Sequence, residues 1–503
     1  MAKNLVYDVH DKPRFGNMLI FALQQLLAIL AATIAVPTII GLPTQIPAAI
    51  FGAGIGTLVY QVFTRFKSPV FLGSSFAFLS SLGVALAYGY CGIVLGSIVA
   101  GLVYVVIAMI IRFVGTKWIA KLMPPVIIGP TVTLIGLSLA GAAMGDIVKA
   151  NNSALHGSYN LVALLCGLVT FMTVVICSTQ KKYTMPRLVP FILGIVAGYA
   201  TASVFTVIGM IANVDYLMIL NWSPIVNTFV AADGSFQGLS AFISIPDFAL
   251  VESIRELTSG TISSEVLAAN KDAALITVGG IAEVVIAFLP VALVVFAEHI
   301  ADHKNLSSII ERDLIEDPGL DRTLLGDGVG SIAGTLFGVC PNTTYGESVG
   351  CVAITRNASV VTITTTAFMC MILSFISPIT CVLQTIPSCV MGGVCLTLYG
   401  FIAVSGLKMF KDLDLSDNKN LFVVSSILIS GIGGLTIQIP YALAANGAVA
   451  KTIQITAIAT ALILGIVTNA ILTRVEKSKL GKEPNGTSKQ DKETSKETEH
   501  ETV

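Results

Sequence analysis

Long apolar stretches separated by short polar ones run through most of this chain of 503 residues. Most of these stretches are about 17–25 residues long, the length that a helix needs to cross roughly 30 Å of hydrocarbon. About fourteen such spans are predicted, at residues 17–40, 47–64, 68–88, 91–112, 124–144, 158–177, 188–212, 273–298, 323–339, 344–357, 360–378, 386–408, 420–437 and 452–473. The pattern therefore predicts an all-α polytopic membrane protein embedded in a lipid bilayer.

Composition agrees with a membrane protein and excludes several other classes. Apolar residues make up 54% of the chain and charged residues 12%, and the mean hydropathy is +0.84. A soluble domain carries about 25% charged residues. The net charge of -1 argues against a nucleic-acid partner, which would require a basic surface. The nine cysteines include no CxxC pair, so no metal site, disulfide framework or cofactor is predicted.

Lysine and arginine are concentrated in every second loop. With a cytoplasmic N-terminus, the inner side holds Arg65, Lys67, Arg112, Lys117, Lys121, Lys181, Lys182, Arg187, Lys304, Arg312, Arg322, Arg356, Lys408, Lys411, Lys419, Arg474 and Lys477. The outer loops hold little more than Lys149, Arg255, Lys271 and Lys451. This positive-inside distribution predicts a multi-pass plasma-membrane protein with both termini in the cytoplasm.

Three segments are predicted to lie outside the bilayer. Residues 1–16 are polar and form a cytoplasmic N-terminus. Residues 213–272 form one long outer loop of mixed polarity, with room for short helices of its own. Residues 474–503 are rich in Lys, Glu, Ser and Thr, and this cytoplasmic tail has too little apolar content to fold, so it is predicted to be disordered.

Two predicted spans do not have the sequence of an ordinary helix. Residues 68–78 and 338–347 both combine Pro and Gly with hydroxyl and aromatic residues. Irregular backbone at membrane depth is tolerated only where it is buried in protein or lines a cavity, and a pair of such segments indicates a transporter binding site. They fall in spans 3 and 10, so a seven-plus-seven inverted repeat is predicted, with two short extended segments meeting near the midplane. Ordinary kinks packed by neighbouring helices are the alternative.

Carboxyl groups inside apolar spans are costly and usually functional. Glu298 and Asp302 are four residues apart and would share one face of a helix, while Glu347 would begin the short helix after the second irregular segment. Glu298 in a structural ion pair and Glu347 as a helix cap are the alternatives. The neighbouring His299 and His303 fit boundary residues better than ligands.

Two carboxylates that converge on a dry pocket favour a neutral ligand with N–H donors. The backbone N–H groups of short helices would donate to carbonyl oxygens of the same ligand. A planar cyclic imide such as uracil carries this alternation of donors and acceptors. The residues therefore define a type of ligand without naming one compound.

Several motifs together resemble one family of transporters. They are Leu72–Phe78, Pro124–Gly129, Ala297–Ile300, Arg312–Leu320, Pro341–Glu347, Ala353–Arg356 and Val390–Gly393 with Leu398–Gly400. With them the chain resembles the nucleobase–cation symporters of the nucleobase–ascorbate type, in particular their uracil permease branch. The resemblance implies a core domain of spans 1–4 and 8–11, at residues 17–112 and 273–378, and a gate domain of spans 5–7 and 12–14, at residues 113–212 and 379–473.

The resemblance also implies which residues hold the substrate. Glu298, Glu347, the Gly346 and Phe76 backbone and Tyr399 would bind the base. Gln24, Gln25, Ser75 and Thr344 are further candidates for the pocket lining. Two departures from the family pattern are Gln24-Gln25, where the family usually has Gln-His, and Asp302, where some uracil permeases have His. The second departure shifts the expected proton carrier to Asp302 together with Glu298.

The expected function is uptake of uracil by proton symport through alternating access, in a homodimer. A xanthine or other purine permease of the same fold, possibly coupled to sodium, is the alternative. A channel would need a continuous polar pore lining instead of separate acidic positions. No nucleophile–base or metal constellation indicates an enzyme.

Overall fold

The computed structural model describes residues 5–150, 159–182, 186–187, 189–231, 233–443 and 449–480. Its helices are α1 Phe15–Ile39, α2 Ile46–Phe63, α3 Leu79–Leu86, α4 Gly89–Val114, α5 Lys117–Leu122, α6 Pro125–Asp146, α7 Leu161–Thr179, α8 Pro190–Ala212, α9 Ser223–Phe229, α10 Ala249–Ser259, α11 Ser264–Ala269, α12 Val278–Ile310, α13 Leu320–Phe337, α14 Gly346–Thr355, α15 Val360–Leu373, α16 Ser377–Gln384, α17 Ser388–Lys408, α18 Asn418–Ile432 and α19 Ala457–Leu480. Two antiparallel pairs of strands complete the fold, β1 Leu72–Ser74 with β2 Asn342–Thr344 and β3 Ile437–Leu443 with β4 Val449–Ile455.

The chain is a mostly helical membrane protein, as its apolar pattern predicts. Within the described ranges, nine helices are long and apolar enough to cross a bilayer. Three further apolar helices are shorter, at Phe76–Leu86, Val360–Leu373 and Asn418–Ile432. The count of fourteen spans, the inverted repeat and the division into core and gate domains stay predictions.

The long helices differ in how much of their surface faces other helices. The second half of α1 and the first half of α2 are almost entirely buried, whereas α7, α8 and α19 expose apolar side chains. Ile176 on α7 is 62% exposed and Ile211 on α8 is 79% exposed. Apolar side chains can be exposed at such positions because the surrounding solvent is hydrocarbon.

Helices α2 and α13 pack closely because small residues face each other. A Cβ atom on Gly52 would lie 2.3 Å from the carbonyl oxygen of Gly334. The two backbones can therefore approach only because neither position carries a side chain. Small residues at such crossings are typical of helix association in membranes.

The eighth predicted span, 273–298, differs from the observed helix. Helix α12 begins at Val278 and continues to Ile310, so Glu298 and Asp302 lie well inside a helix instead of near its end. The apolar pattern stops at Glu298 because the following residues include His299 and His303. The helix continues because these polar side chains are buried against hydrogen-bonding partners on neighbouring elements.

The last two predicted spans, 420–437 and 452–473, extend into a β-hairpin. Helix α18 ends at Ile432, and β3 then pairs with β4, with Ile437 opposite Ile455 and Ile439 opposite Ile453. The alternation Ile-Gln-Ile in both strands has the two-residue period of a strand. An average of hydropathy over the length of a membrane helix does not show this period.

The predicted disordered tail is partly helical. Helix α19 continues to Leu480, past the predicted boundary at Arg474, and residues 481–503 lie outside the described residues. At the other end, Val6 donates its N–H to the Arg356 carbonyl oxygen at 2.8 Å, and Ala358 donates to the Tyr7 carbonyl oxygen at 2.9 Å. The N-terminal segment is therefore hydrogen-bonded to the loop between α14 and α15.

Residues 213–272 contain the expected short helices, α9 to α11, and are attached to the bundle. Glu256 accepts a hydrogen bond from the backbone N–H of Tyr90 at 2.8 Å, at the start of α4. Glu265 Oε2 accepts from the Tyr90 hydroxyl at 2.9 Å and from the Gln45 amide at 3.2 Å. These carboxylates fix α10 and α11 against the ends of α2 and α4.

The attachment of this segment should weaken as the pH rises. Burial raises the pKa of Glu265 above its ordinary value of 4.5, and the nearby Asp247 and Glu252 charges raise it further. A folded-state pKa above the unfolded one contributes stability at low pH that is lost as the pH rises through the folded value. Relative to a Glu265→Gln variant, the wild-type melting temperature should fall between pH 5 and pH 8, by on the order of 1–3 °C.

The measurement is thermal unfolding of both proteins in detergent across that range. Glu311→Gln, which changes an exposed carboxylate at the end of α12, is the control and should show no such relative change. A difference between wild type and Glu265→Gln that stays constant with pH would contradict this prediction.

Candidate functional site

Two short strands from distant parts of the chain meet in the interior. In β1 and β2, Leu72 lies opposite Thr344 and Ser74 opposite Asn342, and all the strand residues are buried. A turn at Phe76–Phe78 and helix α3 follow β1, while helix α14 follows β2 from Gly346. The extended segments expected at 68–78 and 338–347 are thus present and paired. Each places the start of a short helix, with N–H groups unpaired within the helix, at the same crossing.

A cavity of about 500 Å³ adjoins this crossing. Helices α12 and α14 and the two irregular segments line one side, and α6, α8 and α17 contribute to the other. The predicted site residues among its lining are Ser75, Phe76, Glu298, Asp302, Thr344, Gly346 and Glu347. The tertiary structure therefore gathers seven of the sequence-predicted residues around one space.

Three carboxylates face this cavity. Glu298 and Asp302 lie one turn apart on α12, and Glu347 lies in the first turn of α14. The Thr344 hydroxyl donates to Asp302 Oδ2 at 2.7 Å. The Glu298 Oε2 atom is buried and has no hydrogen-bond partner among the described residues. Because a buried polar atom without a partner is costly, Glu298 is the strongest candidate for contact with a ligand.

Three of the predicted residues lie outside the cavity lining. The Tyr399 ring is buried and packs edge-on against Phe76, a residue of the cavity lining, with centroids 5.3 Å apart. Gln24 and Gln25 are both buried on α1, and the Gln25 amide donates to Ser348 Oγ at 2.5 Å. This bond joins α1 to the first turn of α14. Binding of a ligand by these three residues stays a prediction.

A second polar cluster behind the cavity is not predicted by the sequence analysis. The Oδ2 atom of Asp327, on α13, lies 2.7 Å from His299 Nδ1, and both side chains are fully buried. His299 Nε2 lies 3.1 Å from the Thr323 hydroxyl, and the Thr343 hydroxyl donates to Asp327 Oδ2 at 3.4 Å. Successive residues of β2 thus contact Asp327 and Asp302. The sequence does contain one indication of this cluster, because Asp327 lies within an apolar span and carboxyl groups there are rare unless they are functional.

The donor set of the cavity determines what it can hold. Carboxylates accept hydrogen bonds from N–H groups, and the helix starts at Phe76 and Gly346 supply N–H donors for carbonyl oxygens. Among the described residues there is no group of three His, Cys, Asp or Glu side chains that could hold a metal ion. The arrangement suits a small ligand that has both N–H and C=O groups.

Comparison with known sequences identifies relatives over almost the whole chain. A model described as "Permease family" matches residues 16–440. The uracil permease of Bacillus caldolyticus is 35% identical over 93% of this chain and 94% of its own length. The uracil permease of Bacillus subtilis is 34% identical over 94% of this chain and 97% of its own length, and the uracil permease of Escherichia coli K12 is 30% identical over 86% and 88%.

Comparison with solved structures indicates a transporter fold. The murine Solute Carrier 26 family member A9 anion transporter, in its inward-facing state, has a TM-score of 0.58 at 12% identity, covering 93% of this chain and 69% of its own. The transmembrane domain of the cyanobacterial bicarbonate transporter BicA has a TM-score of 0.50 at 12% identity, covering 92% and 100%. At such identity these similarities concern the fold alone.

Proposed function

The chain belongs to the permease family of nucleobase–ascorbate transporters, and from that premise we propose that it carries uracil across the membrane by proton symport. The relatives at 30–35% identity are named uracil permeases, and permeases are transporters, not enzymes. The alternative that the sequence left open, a carrier of xanthine or another purine base, would use the same cavity.

The cavity with three carboxylates and two helix starts is the observation that carries this proposal. Glu298 and Glu347 accept hydrogen bonds from the ring N–H groups of uracil, while the Gly346 and Phe76 backbone N–H groups donate to its carbonyl oxygens. Such a site binds a base that lacks one of these groups less tightly, because a buried polar atom then loses its partner.

Asp302 and Glu298 are the proposed proton carriers. They lie one turn apart, and no ion pair in the described part of the chain joins either of them to a Lys or Arg. Two adjacent negative charges without counter-ions are costly in a membrane interior. Binding of a proton removes one of these charges, so occupancy by proton and by uracil are coupled. Sodium could neutralise the same charges and is the alternative coupling ion.

Alternating access is the proposed transport mechanism. The core domain, at 17–112 and 273–378, carries the cavity past the gate domain, at 113–212 and 379–473, and exposes it to each side in turn. Support comes from the cavity lining, which combines residues of both predicted domains, and from the transporter fold. We further propose fourteen spans in a seven-plus-seven inverted repeat, both termini in the cytoplasm and a homodimeric assembly.

Uptake of radiolabelled uracil into proteoliposomes tests the proposal. An inward proton gradient should increase accumulation, and unlabelled uracil should compete while xanthine and sulfate should not. If xanthine competed and uracil did not, the family assignment would stand, but uracil would not be the substrate. Accumulation driven by a sodium gradient alone would contradict the coupling ion.

Replacement of Asp302 by Asn should separate binding from coupling. The variant keeps a hydrogen-bond acceptor for Thr344 but cannot cycle a proton. We therefore expect gradient-driven accumulation to fall by about tenfold or more, while exchange of labelled for unlabelled uracil across the membrane continues.

The matched control is Asp313→Asn, which changes an exposed carboxylate beyond the end of α12. It should retain both accumulation and exchange. Full accumulation by Asp302→Asn would show that the proton is carried elsewhere.

A further inference from the structure

The cavity has a second, basic region that uracil transport does not require. Arg187, just before α8, and Lys408, the last residue of α17, both line it, as does Ser178 near the end of α7. All three belong to the predicted gate domain and lie at helix ends that the positive-inside pattern places in the cytoplasm. The cavity therefore joins carboxylates on its core side to cations on its gate side.

The basic region has unused hydrogen-bonding capacity. The Arg187 Nε atom and the Ser178 Oγ atom are buried, and neither has a hydrogen-bond partner among the described residues. The ion pairs found in the described ranges include neither Arg187 nor Lys408. Buried donors without partners are costly, so these groups are suited to an anion.

The combination of acidic and basic ends defines the chemistry of a second ligand. Its heterocycle keeps one ring N–H group for Glu298 or Glu347, because the other ring nitrogen carries the sugar, and its other end has an anionic group for Arg187 and Lys408. A phosphate ester fits the basic end, because it has strong acceptor oxygens and a charge of about −1.5 to −2 at pH 7, and arginine binds phosphate through two parallel hydrogen bonds.

Cavity size agrees with a ligand larger than one ring. Sites of about 300–1,000 Å³ bind drug-sized molecules, and this cavity of about 500 Å³ lies within that range. A single pyrimidine ring fills only part of it. A ribose between the base and the phosphate would extend the ligand from the carboxylates toward the basic residues.

We propose that the cavity also binds a pyrimidine nucleoside monophosphate from the cytoplasmic side, as an inhibitor that competes with uracil. This inference rests on the proposed function, since the base would occupy the same acidic end. A nucleotide made in the cell from imported base would then slow further import. The phosphate makes the molecule charged, so it blocks the cavity instead of being carried through it.

Displacement of labelled uracil from the purified protein in nanodiscs tests this proposal. Uridine monophosphate should displace uracil at concentrations about tenfold or more below those of uridine, because one charge-assisted contact is worth about a factor of ten or more. In Arg187→Gln and in Lys408→Gln this advantage of the nucleotide over the nucleoside should fall by about tenfold. Lys411→Gln, which removes an exposed cation outside the cavity lining, is the matched control and should keep the full advantage.

The other source of a phosphate group is a lipid headgroup, and the same measurement separates the two. It is repeated in nanodiscs of neutral lipid and in nanodiscs that contain anionic lipid. If anionic lipid alters uracil binding through Arg187 and Lys408 while the nucleotide shows no advantage over uridine, these cations bind headgroups and the inference is wrong. Equal displacement by nucleotide and nucleoside in both lipids also overturns it. If the wild-type protein binds no uracil, the proposed function is wrong. If it binds uracil but binds uridine monophosphate no better than uridine, only this inference is wrong.

Discussion

In a Glu298→Gln variant, we expect uracil uptake at low substrate concentration to fall by about tenfold to a hundredfold. The substitution keeps the volume of the side chain but replaces one carboxylate oxygen by an NH₂ group. Glu298 Oε2 is buried without a partner among the described residues, so its capacity to accept a hydrogen bond is free for a ligand. A donor in its place would face the N–H group of the base and repel it.

The measurement is initial-rate uptake of labelled uracil into proteoliposomes, together with equilibrium binding to the purified protein. The control is Glu311→Gln, which changes an exposed carboxylate at the C-terminal end of the same helix and should leave both unchanged. Binding and uptake at the wild-type level in Glu298→Gln would show that the base is held elsewhere. Loss of both, with normal thermal stability, would support the direct contact.

The second large effect is expected on stability, at the pair of Asp327 and His299. Both side chains are fully buried, and Asp327 Oδ2 lies 2.7 Å from His299 Nδ1. An Asp327→Ala variant leaves the imidazole nitrogen without an acceptor, and a buried donor left without a partner costs about 1–3 kcal/mol. Asp327→Asn retains an acceptor oxygen and should lose only about 1 kcal/mol, the net value of one hydrogen bond.

Thermal unfolding in detergent, with uptake measured on the same preparations, checks this order of stability. Glu316→Ala removes an exposed carboxylate from the loop before α13 and should change stability by no more than about 0.5 kcal/mol. Since His299 adjoins Glu298 on α12, we expect uptake to fall with stability in the Ala variant. Equal melting temperatures for wild type and Asp327→Ala would contradict the assignment of this pair as a structural support of the site.

Local sequence patterns determined the class of the protein and predicted seven of the residues that line its cavity. Long apolar stretches with few charges cannot be covered by water-soluble surface, which makes membrane helices unavoidable. Pro, Gly and hydroxyl residues at 68–78 and 338–347 are incompatible with regular helix, so extended segments follow. The four-residue spacing of Glu298 and Asp302 places them on one face of a helix wherever that helix packs.

Pairing between distant segments was decided only by the tertiary structure. The contact of β1 with β2 joins residues 72–74 to 342–344, and no local pattern contains the register of such a pair. The same holds for Asp327 on α13, whose carboxylate is tolerated because α12 packs His299 against it. The contact between the rings of Tyr399 and Phe76 likewise joins distant parts of the chain.

The extent of two elements also depended on packing. Helix α12 continues to Ile310 because its polar residues find partners on other elements, which hydropathy does not register. Strands β3 and β4, whose outer ends overlap the predicted spans 420–437 and 452–473, pair with each other instead of continuing α18 and α19 as helix. Sequence fixes which groups must avoid water or find a hydrogen-bond partner, whereas only the folded chain decides which partner lies within reach, because that depends on segments hundreds of residues away.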